Sequence, residues 1–376
     1  MAEKQMIRLA KPYISEEATQ KVTEVLRSGN LVQGENVRQF EEKLEHYLNV
    51  KHVVVVSSGT AALHLSLLAL DIGHGDEVIV PAFTYPATAN VVEIVGAKPV
   101  FVDITLDDFC IDAARIEEAI TDKTKAVIPV HEFGQAADMD PIMALAKQNN
   151  LQIVEDAACA LGSEYKGKKT GTIGNMGCFS FHPRKAITTG EGGAIVTNDS
   201  QLADKVRSLR NHGTSIVNDK IEFEYAGLNY RMTDFQAALG IAQLNEIDFL
   251  INHRIKMAKA YDDHLMEIEW IKTSKILSGR KPVYQTYHLM VGDNIDRDSM
   301  ITALKKNGIE TNIGAYALPM IKYYRKKYNY QEQNYPSALN SYRYGLALPI
   351  GSHINITDIQ HIYECLSKSF YNLDSF

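Results

Sequence analysis

Four short segments of the sequence place charged or hydroxyl side chains at the ends of apolar runs. In SSGTAALHL, small residues end one such run and a helical pattern begins at once, at Gly59, Thr60 and Ala61. Backbone N–H groups at a helix start, together with the positive end of the helix dipole, bind anions such as phosphate. Serine and threonine also cap helices at this position, so the segment alone does not decide between an anion site and a simple cap.

Two carboxylates, Glu155 and Asp156, end an otherwise apolar strand in IVEDAACALG. Ligands of open α/β sheets bind at the carboxyl ends of the strands, so a carboxylate is well placed there to meet one. A buried carboxylate without a cationic partner costs free energy, which favours a ligand that carries positive charge. Capping of the next helix remains the alternative from this segment alone.

Lys185 lies in FHPRKAITTGEGG, a tight segment between two short strands. A lysine in a partly desolvated pocket has a lowered pKa, and its neutral amine is a nucleophile that forms Schiff bases with carbonyl compounds. Ser180, at the end of the preceding strand, is a second hydroxyl donor for the anion site. Most lysines lie on the surface, so position alone does not establish a catalytic role for Lys185.

A fourth segment, AGLNYRMTDFQAALG, places Asn229 and Arg231 in a polar stretch before a helix. Both side chains are suitable donors to a phosphate or a carboxylate. A capped helix with solvated polar residues would give the same pattern.

The elements that position these segments alternate between strand and helix from about residue 50 to 200. Fully apolar strands between amphipathic helices predict an α/β fold with a mostly parallel sheet covered on both faces. CFSFH and GAIVTN are too close together for a helix between them, which favours one antiparallel strand. We predict a large domain over residues 1–251 and a smaller α+β domain over residues 252–376. The first 50 residues, which include the helical pattern ENVRQFEEKLEHYL, are expected to pack beside the smaller domain.

Composition excludes several classes of function. The 39 basic and 46 acidic residues give a net charge of -7, which argues against a nucleic-acid-binding protein. The sequence has no apolar run of the roughly 20 residues that a membrane helix needs, and its N-terminus is not that of a signal peptide. The four cysteines lack metal-ligand spacing, so we expect reduced thiols, no bound metal and a cytoplasmic location.

Taken together and in this order, the segments resemble the DegT/StrS family of sugar aminotransferases. The resemblance extends from SGNLVQGENVRQFEE to about residue 245 and more loosely to the C-terminus. The segments that carry it are SSGTAAL, PAFTYPATAN, VHEFGQAADMD, VEDAACALGS and FSFHPRKAITTGEGGAIVTND. It implies the type I fold of transferases that depend on pyridoxal 5'-phosphate (PLP), with a mostly parallel seven-stranded sheet and a smaller C-terminal domain.

The resemblance also implies a role for individual residues. Lys185 would form the Schiff base with PLP and then move the proton, and Asp156 would pair with the protonated pyridine nitrogen. Tyr85 would stack on the ring. Asn229 would reach the phosphate bound by the neighbouring subunit, which makes a homodimer the functional unit. The implied phosphate contacts are Gly59, Thr60, Ala61 and Ser180, and the implied substrate contacts are His182, Glu191, Arg231 and Tyr316.

One position departs from the family pattern. Cys159 stands where the family often has Gln or His near the 3-hydroxyl of the cofactor, which puts a hydrogen bond to that hydroxyl in doubt. A branch of the family has His in place of the lysine and catalyses dehydration, and Lys185 places this chain outside that branch.

The implied reaction moves an amino group from glutamate to a nucleotide-linked 4-keto-6-deoxy sugar, for polysaccharide, glycan or antibiotic-sugar biosynthesis. Three alternatives share the cofactor residues: an aminotransferase for a cyclitol ketone, one for a 3-keto sugar, and a non-catalytic PLP-binding regulator.

Overall fold

The structure is a computed structural model that describes the backbone of residues 6–373 and the side chains of residues 6–368. Its strands are β1 (His52–Val56), β2 (Glu77–Pro81), β3 (Phe83–Thr84), β4 (Lys98–Val102), β5 (Thr124–Val127), β6 (Gln152–Asp156), β7 (Glu164–Tyr165), β8 (Lys168–Lys169), β9 (Met176–Ser180), β10 (Gly193–Thr197), β11 (Thr214–Val217), β12 (Lys220–Phe223), β13 (Ile271–Thr273), β14 (Arg280–Lys281), β15 (Tyr287–Val291), β16 (Tyr316–Ala317) and β17 (Gly345–Leu348). Its helices are α1 (Glu16–Ser28), α2 (Glu35–Leu48), α3 (Gly59–Ala69), α4 (Ala87–Ile94), α5 (Ile116–Ala119), α6 (Met139–Asn149), α7 (Ser200–Arg210), α8 (Asp234–Asn245), α9 (Ile247–Leu265), α10 (Arg297–Lys306), α11 (Lys322–Tyr328), α12 (Pro336–Tyr344) and α13 (Ile356–Leu373).

A seven-stranded sheet forms the centre of the molecule, with the strand order β1-β10-β9-β6-β5-β2-β4. β10 is antiparallel to both β1 and β9, and the other pairs are parallel. The predicted α/β fold with a mostly parallel seven-stranded sheet is therefore confirmed, as is the antiparallel strand.

Helices cover both faces of this sheet because its strands are apolar on both sides. Along β1, Val54 and Val56 belong to the core beneath α3, α4 and α7, whereas Val53 and Val55 belong to the core beneath α2 and α8. Successive side chains of a strand point to opposite faces, so an uninterrupted valine run supplies both cores. The carboxyl ends of the parallel strands then meet along one edge, where the predicted site residues lie.

The C-terminal region has its own antiparallel sheet, β13-β15-β17. Side chains of α9, α10 and α13 pack on it, including Tyr261, Leu304 and Ile362. The boundary predicted at residues 251 and 252 lies inside α9. Ile251 packs in the core of the large sheet, and Met257, further along the same helix, packs in the C-terminal core.

The first 50 residues divide between the two regions. Ile7 lies beside the C-terminal sheet region, where it forms a parallel bridge with Ile309. The expectation that this whole stretch lies there does not extend to α1 and α2, which pack on α8 instead. Phe40 of α2 fills the core of the large sheet, and the Asp234 carboxylate of α8 accepts hydrogen bonds from the backbone of Gly34 and Val37 at the start of α2.

The described residues contain neither a membrane-spanning helix nor a cluster of metal ligands. None of the helices within residues 6–373 is both long and apolar enough to cross a bilayer. In the same part of the chain, no three His, Cys, Asp or Glu side chains come together as metal ligands would.

Candidate active site

A cavity of about 360 Å³ opens at the carboxyl ends of the parallel strands. Most of the residues predicted from the sequence line it. These are Gly59, Thr60, Tyr85, Asp156, Cys159, Ser180, His182, Lys185 and Glu191. The cavity thus brings together side chains that are far apart in the sequence, because most of them lie at or just beyond the carboxyl ends of β1, β6 and β9 of the one sheet.

One wall of the cavity is the start of α3. Ser58 is the N-cap, and its hydroxyl accepts a hydrogen bond of 3.0 Å from the N–H of Ala61. The Ala61 amide therefore completes the cap, and the amides of Gly59 and Thr60 lie at the open end of the helix, where no helical partner exists. A side chain at Gly59 would lie 2.8 Å from Cβ of Ser180, so glycine permits the close approach of the helix start and β9.

The two neighbouring carboxylates of β6 point to opposite faces of the sheet, as successive side chains in a strand must. Asp156 faces the cavity and is 5% exposed. One of its oxygens accepts a hydrogen bond of 2.8 Å from the Thr88 hydroxyl, and the other accepts one of 3.1 Å from the N–H of Ala158. Both donors are neutral, so a cationic group in the cavity would find a buried negative charge there.

Glu155 faces away from the cavity and is fully buried. Its carboxylate accepts hydrogen bonds from the backbone N–H groups of Gly171, Ile173 and Gly174, at 2.6–2.7 Å. His131 supplies a fourth at 2.8 Å, since its Nδ1 accepts from the backbone and its Nε2 therefore carries the proton. Four donors saturate the carboxylate, and Glu155 fixes the loop at residues 171–174 to the sheet.

Lys185 reaches into the cavity from the turn between β9 and β10. Its Nζ lies 3.0 Å from the sulfur of Cys159, at the end of β6. The turn is held by the Lys185 N–H, which donates to the His182 carbonyl at 2.8 Å. Arg254 of α9 donates to the Lys185 carbonyl at 3.4 Å, and burial lowers the pKa of this arginine to about 10.

Cys159 is a half-buried thiol. Burial raises its pKa, and the nearby positive charge of Lys185 opposes that rise. A protonated thiol is a weak donor and a weak acceptor, so Cys159 offers little hydrogen bonding to a ligand.

Four of the predicted residues do not line the cavity. Ala61 is buried in α3, and Asn229 is exposed in the segment that runs beside the end of β1. Arg231 donates to the side-chain oxygen of Asn211 at 2.5 Å. Tyr316 lies behind Tyr85, with the two ring centroids 6.4 Å apart and the rings nearly perpendicular.

Three further predicted residues form the more open part of the cavity. Tyr85 is 59% exposed, and Glu191, which also lines the cavity, is exposed. His182 is half-buried, and burial lowers the pKa of its imidazole, so the ring is neutral at neutral pH. Polar groups on an open rim suit the recognition of a hydroxylated substrate better than the binding of a buried cofactor.

Thr88 and Glu132 also line the cavity, and the sequence motifs predicted no role for either of them. Thr88 lies in PATAN, and its hydroxyl holds Asp156. Glu132 lies in VHEFGQ, is 5% exposed, and has one carboxylate oxygen, Oε2, with no hydrogen-bond partner. The signal was available, because Glu132 follows β5 as Asp156 ends β6, at the carboxyl ends of adjacent strands.

The residues of the cavity match the functional groups of PLP. The open end of α3 and the Ser180 hydroxyl suit a phosphate. The buried carboxylate of Asp156 accepts hydrogen bonds from neutral groups only, so it suits a protonated pyridine nitrogen. The amine of Lys185 suits the aldehyde. The glycine at position 59 keeps the helix start close to Ser180, which a larger residue would prevent.

Comparison with known proteins identifies the same chemistry. Residues 12–367 match the model of the DegT/DnrJ/EryC1/StrS aminotransferase family. GDP-perosamine synthase from Caulobacter vibrioides is 45% identical over 282 residues, which cover 74% of this chain and 76% of that protein. UDP-4-amino-4-deoxy-L-arabinose–oxoglutarate aminotransferase from Shewanella sediminis is 34% identical over 388 residues, covering 97% and 98% of the two chains.

Among solved structures, Spr1654 from Streptococcus pneumoniae in its PMP form superposes with a TM-score of 0.92 at 31% identity, covering 99% of this chain and 100% of that one. PMP is the aminated form of PLP, and the PLP form of the same protein also matches, with a TM-score of 0.89. The family match spans both regions of the chain, and the relatives are named as enzymes that handle amino sugars. We conclude that this chain belongs to the DegT/DnrJ/EryC1/StrS aminotransferase family and is a PLP-dependent sugar aminotransferase.

Proposed function

We propose that the protein transfers an amino group from glutamate to carbon 4 of a nucleotide-linked 4-keto-6-deoxy sugar. The observation that carries this proposal is its similarity to two relatives whose names specify nucleotide-linked sugars, one with GDP and one with UDP. The second name also specifies an amino group at carbon 4 and oxoglutarate, the keto acid that glutamate becomes when it gives up its amino group. The products would serve polysaccharide, glycan or antibiotic-sugar biosynthesis.

Each of the predicted cofactor-contacting residues has a distinct role in the proposed reaction. Bound PLP supplies an electron sink that stabilises negative charge next to the reacting carbon. Lys185 holds the cofactor and, once released, carries the proton between the two carbons that exchange the amino group. Asp156 keeps the ring nitrogen protonated, and Thr88 orients Asp156 through its hydrogen bond. The start of α3 and Ser180 hold the phosphate, and Tyr85 covers the ring.

Substrate recognition would fall to the open rim, through His182, Glu191, Arg231 and Tyr316. His182 and Glu191 line the cavity, and Tyr316 supports Tyr85 through their ring contact. Arg231 donates a hydrogen bond to the side chain of Asn211 in the single chain. To contact a substrate, it would have to exchange this hydrogen bond for one to the substrate.

A homodimer with shared active sites is part of the proposal. The hairpin β11–β12 turns at Asn218 and Asp219, both with positive φ, as tight hairpin turns require. The pairing places Ile216 opposite Ile221 and, on the same face, Thr214 opposite Phe223. Ile216, Ile221 and Phe223 are 78%, 70% and 72% exposed, so the hairpin has an apolar face that no described part of the chain covers.

Asn229 supports the same arrangement. It is exposed, close in sequence to this hairpin, and absent from the cavity of its own chain. Exposed apolar faces of this kind mark protein interfaces, and a second copy of the chain would bring its Asn229 to a neighbouring cavity. Cys110, Cys159 and Cys178 are free thiols, which supports the cytoplasmic location that we also propose.

An amination screen tests the sugar assignment. Purified enzyme with PLP and glutamate is incubated with keto sugars that differ in nucleotide and in carbonyl position, and the products are identified by NMR. We expect amination at carbon 4 of a nucleotide-linked sugar. Turnover of free keto sugars or cyclitol ketones, or a product with its amine at carbon 3, would contradict the proposal.

A single-turnover measurement separates the enzyme from a non-catalytic PLP-binding regulator. Adding glutamate to the PLP-loaded protein, without a keto sugar, should convert the bound cofactor to its PMP form once per active site and then stop. A spectrum that does not change on adding glutamate would favour the regulator.

A further inference from the structure

Glu132 is a buried carboxyl group that the proposed reaction leaves without a role. It lines the same cavity as Lys185, Asp156 and Cys159, yet it is only 5% exposed. Its Oε2 is buried and has no hydrogen-bond partner among the described residues. Buried polar atoms in folded proteins nearly always have a partner, so an oxygen of this kind on a cavity wall indicates that the ligand supplies one.

The backbone around Glu132 holds the carboxyl in place. Phe133 has a φ of 55°, an uncommon conformation for a residue with a side chain, and its ring stacks on His288 with centroids 4.3 Å apart. The Gly134 carbonyl accepts a hydrogen bond of 2.9 Å from the N–H of Val283. A side chain at Gly134 would lie 3.0 Å from the Cys159 carbonyl, so the turn packs directly against the end of β6.

Strand order fixes which side of the cavity Glu132 occupies. Along the sheet, the strands lie in the order β1, β10, β9, β6 and β5. Thr60 follows β1, Ser180 ends β9, Asp156 ends β6 and Glu132 follows β5. Glu132 therefore lies on the far side of Asp156 from the anion site at the start of α3.

The PLP ring has a matching asymmetry. Its phosphate arm and its phenolic hydroxyl are on opposite sides of the line that joins the ring nitrogen to the aldehyde carbon. When the nitrogen is at Asp156, the aldehyde at Lys185 and the phosphate at α3, the phenolic oxygen is on the side of Glu132. Cys159 lies on that side too, but a thiol is a weak hydrogen-bonding partner for an oxygen.

We propose that Glu132 is a further cofactor-contacting residue, whose carboxyl group hydrogen-bonds the phenolic oxygen of PLP and controls the protonation of the bound cofactor. The inference rests on the cofactor placement in the proposed function. Burial, the largest cause, raises the pKa of Glu132 to about 7, and a hydrogen bond from the Thr84 side chain opposes the rise. The carboxyl group is therefore protonated below that pH and donates to the oxygen, and it carries a negative charge above it.

The test uses two variants: Glu132→Leu, which keeps a similar volume but cannot form a hydrogen bond, and Glu132→Gln, which keeps a hydrogen-bonding amide but removes the titrating proton. Affinity for PLP and for its analogue without the phenolic hydroxyl is measured by equilibrium dialysis for wild type and Glu132→Leu. Loss of the hydrogen bond in Glu132→Leu should weaken PLP binding by roughly ten- to a hundredfold, and the analogue should bind both proteins alike. Equal effects on both cofactors, or no effect on either, would overturn the proposal.

A spectroscopic titration gives a second measure that does not depend on activity. Above pH 7 the negative carboxylate favours a proton on the bound cofactor, so the midpoint of its pH-dependent absorbance should fall by about one unit in Glu132→Gln. Glu267→Gln, the same change on an exposed residue just beyond the end of α9 and outside the cavity, should leave the midpoint unchanged. Glu132→Asp is measured alongside, so that misfolding of one variant does not remove the test.

The outcomes separate this inference from the proposed function. If PLP does not bind at Lys185 in the wild type, the cofactor placement fails first. If PLP binds at Lys185, the titration is unchanged in Glu132→Gln and only the KM for the sugar rises, Glu132 contacts the substrate and the inference is wrong.

Discussion

At the scale of single residues, adjacent carboxylates in this protein have opposite functions because their surroundings differ. Glu155 is saturated by four donors and fixes a loop, whereas Asp156 receives two neutral donors and faces the cavity. The sequence identified both as candidates, and strand alternation determines which of them meets a ligand.

Replacing Asp156 with Asn should leave PLP bound and slow the reaction by roughly a hundredfold or more, since an amide cannot hold the ring nitrogen protonated and efficient proton transfer contributes about 10²–10⁴. Single-turnover kinetics with glutamate measures this rate. Thr88→Val is the matched comparison, because it removes one hydrogen bond from Asp156 and should cost roughly tenfold. Near-normal turnover by Asp156→Asn would show that Asp156 is structural.

Glu132 should give the protein without cofactor a specific pH dependence of stability. Its pKa is about 7 in the folded chain, above the ordinary value of 4.5. The group therefore stabilises the fold fully below about pH 4.5, and this contribution is lost as the pH rises through 7. At about 1.4 kcal/mol per pKa unit, the loss is on the order of 3 kcal/mol.

Glu132→Gln lacks this dependence. Between pH 5 and pH 8, the unfolding free energy of the variant should therefore rise relative to that of wild type. Urea denaturation across that pH range measures it. A difference that is constant with pH would mean that Glu132 does not titrate in this range.

At the scale of secondary-structure elements, the sequence predicted the strands and helices whose hydrophobic pattern matches their burial in the structure. Continuous valine runs predicted buried strands, and ENVRQFEEKLEHYL is the helix Glu35–Leu48. The short strands β3 and β16 were not predicted, since two-residue strands leave no periodic pattern and form through contact between Thr84 and Tyr316. The hairpin β11–β12 was also missed, although its Asn-Asp turn between alternating residues was a usable signal.

The apolar face of this hairpin should hold the dimer together. Replacing Ile216 and Phe223 with Ser removes two side chains from each subunit that each contribute roughly 1.5–3 kcal/mol when buried, so the dissociation constant of the dimer should rise by at least about a hundredfold. Sedimentation velocity over a range of concentrations measures this. Met266→Ser is the control, because Met266 is 80% exposed at the end of α9. An unchanged association constant in the double variant would place the interface elsewhere.

At the scale of the whole molecule, the cavity depends on contacts between the two regions of the chain. Arg254 of α9 donates to the carbonyls of Lys185 and Gln285, and both of these residues line the cavity. The aromatic helix α11 is a second link, since Tyr324 donates to Asn90 of α4 at 2.6 Å. That basic and aromatic segment, KYYRKKY, thus packs partly against the large sheet region.

The sequence located most of the cavity because each motif follows a strand, and strand ends converge in an α/β sheet. Asn229 and Arg231 lie outside the cavity of their own chain, so the predicted contact of Asn229 with the neighbouring subunit's phosphate and that of Arg231 with the substrate stay predictions. The sequence motifs predicted no role for Glu132, whose burial depends on the unusual turn at Phe133 and on packing from β15. The place of Glu132 after β5 was a usable signal in the sequence, but its burial arises from tertiary contacts that leave no local pattern.

Shared active sites predict that two inactive variants can complement each other. A Lys185→Ala subunit still offers Asn229 to its partner, and a subunit with Asn229 and Arg231 both replaced by Ala still has its lysine. Mixing equal amounts gives half heterodimers, each with one intact site, so roughly a quarter of wild-type activity should return at low PLP. Activity near zero, in dimers shown by native mass spectrometry to have mixed, would place both groups in one subunit's site.

The central claim is that Lys185 is the residue that binds PLP, and borohydride reduction tests it most directly. Reduction converts the reversible bond between the lysine and the cofactor into a permanent one, and peptide mapping by mass spectrometry then identifies the labelled residue. We predict a single labelled peptide that contains Lys185, and no labelling of Lys185→Ala, which should remain folded by circular dichroism. A label on Lys166, Lys168 or Lys169, or an unlabelled Lys185 in protein saturated with PLP, would contradict the claim.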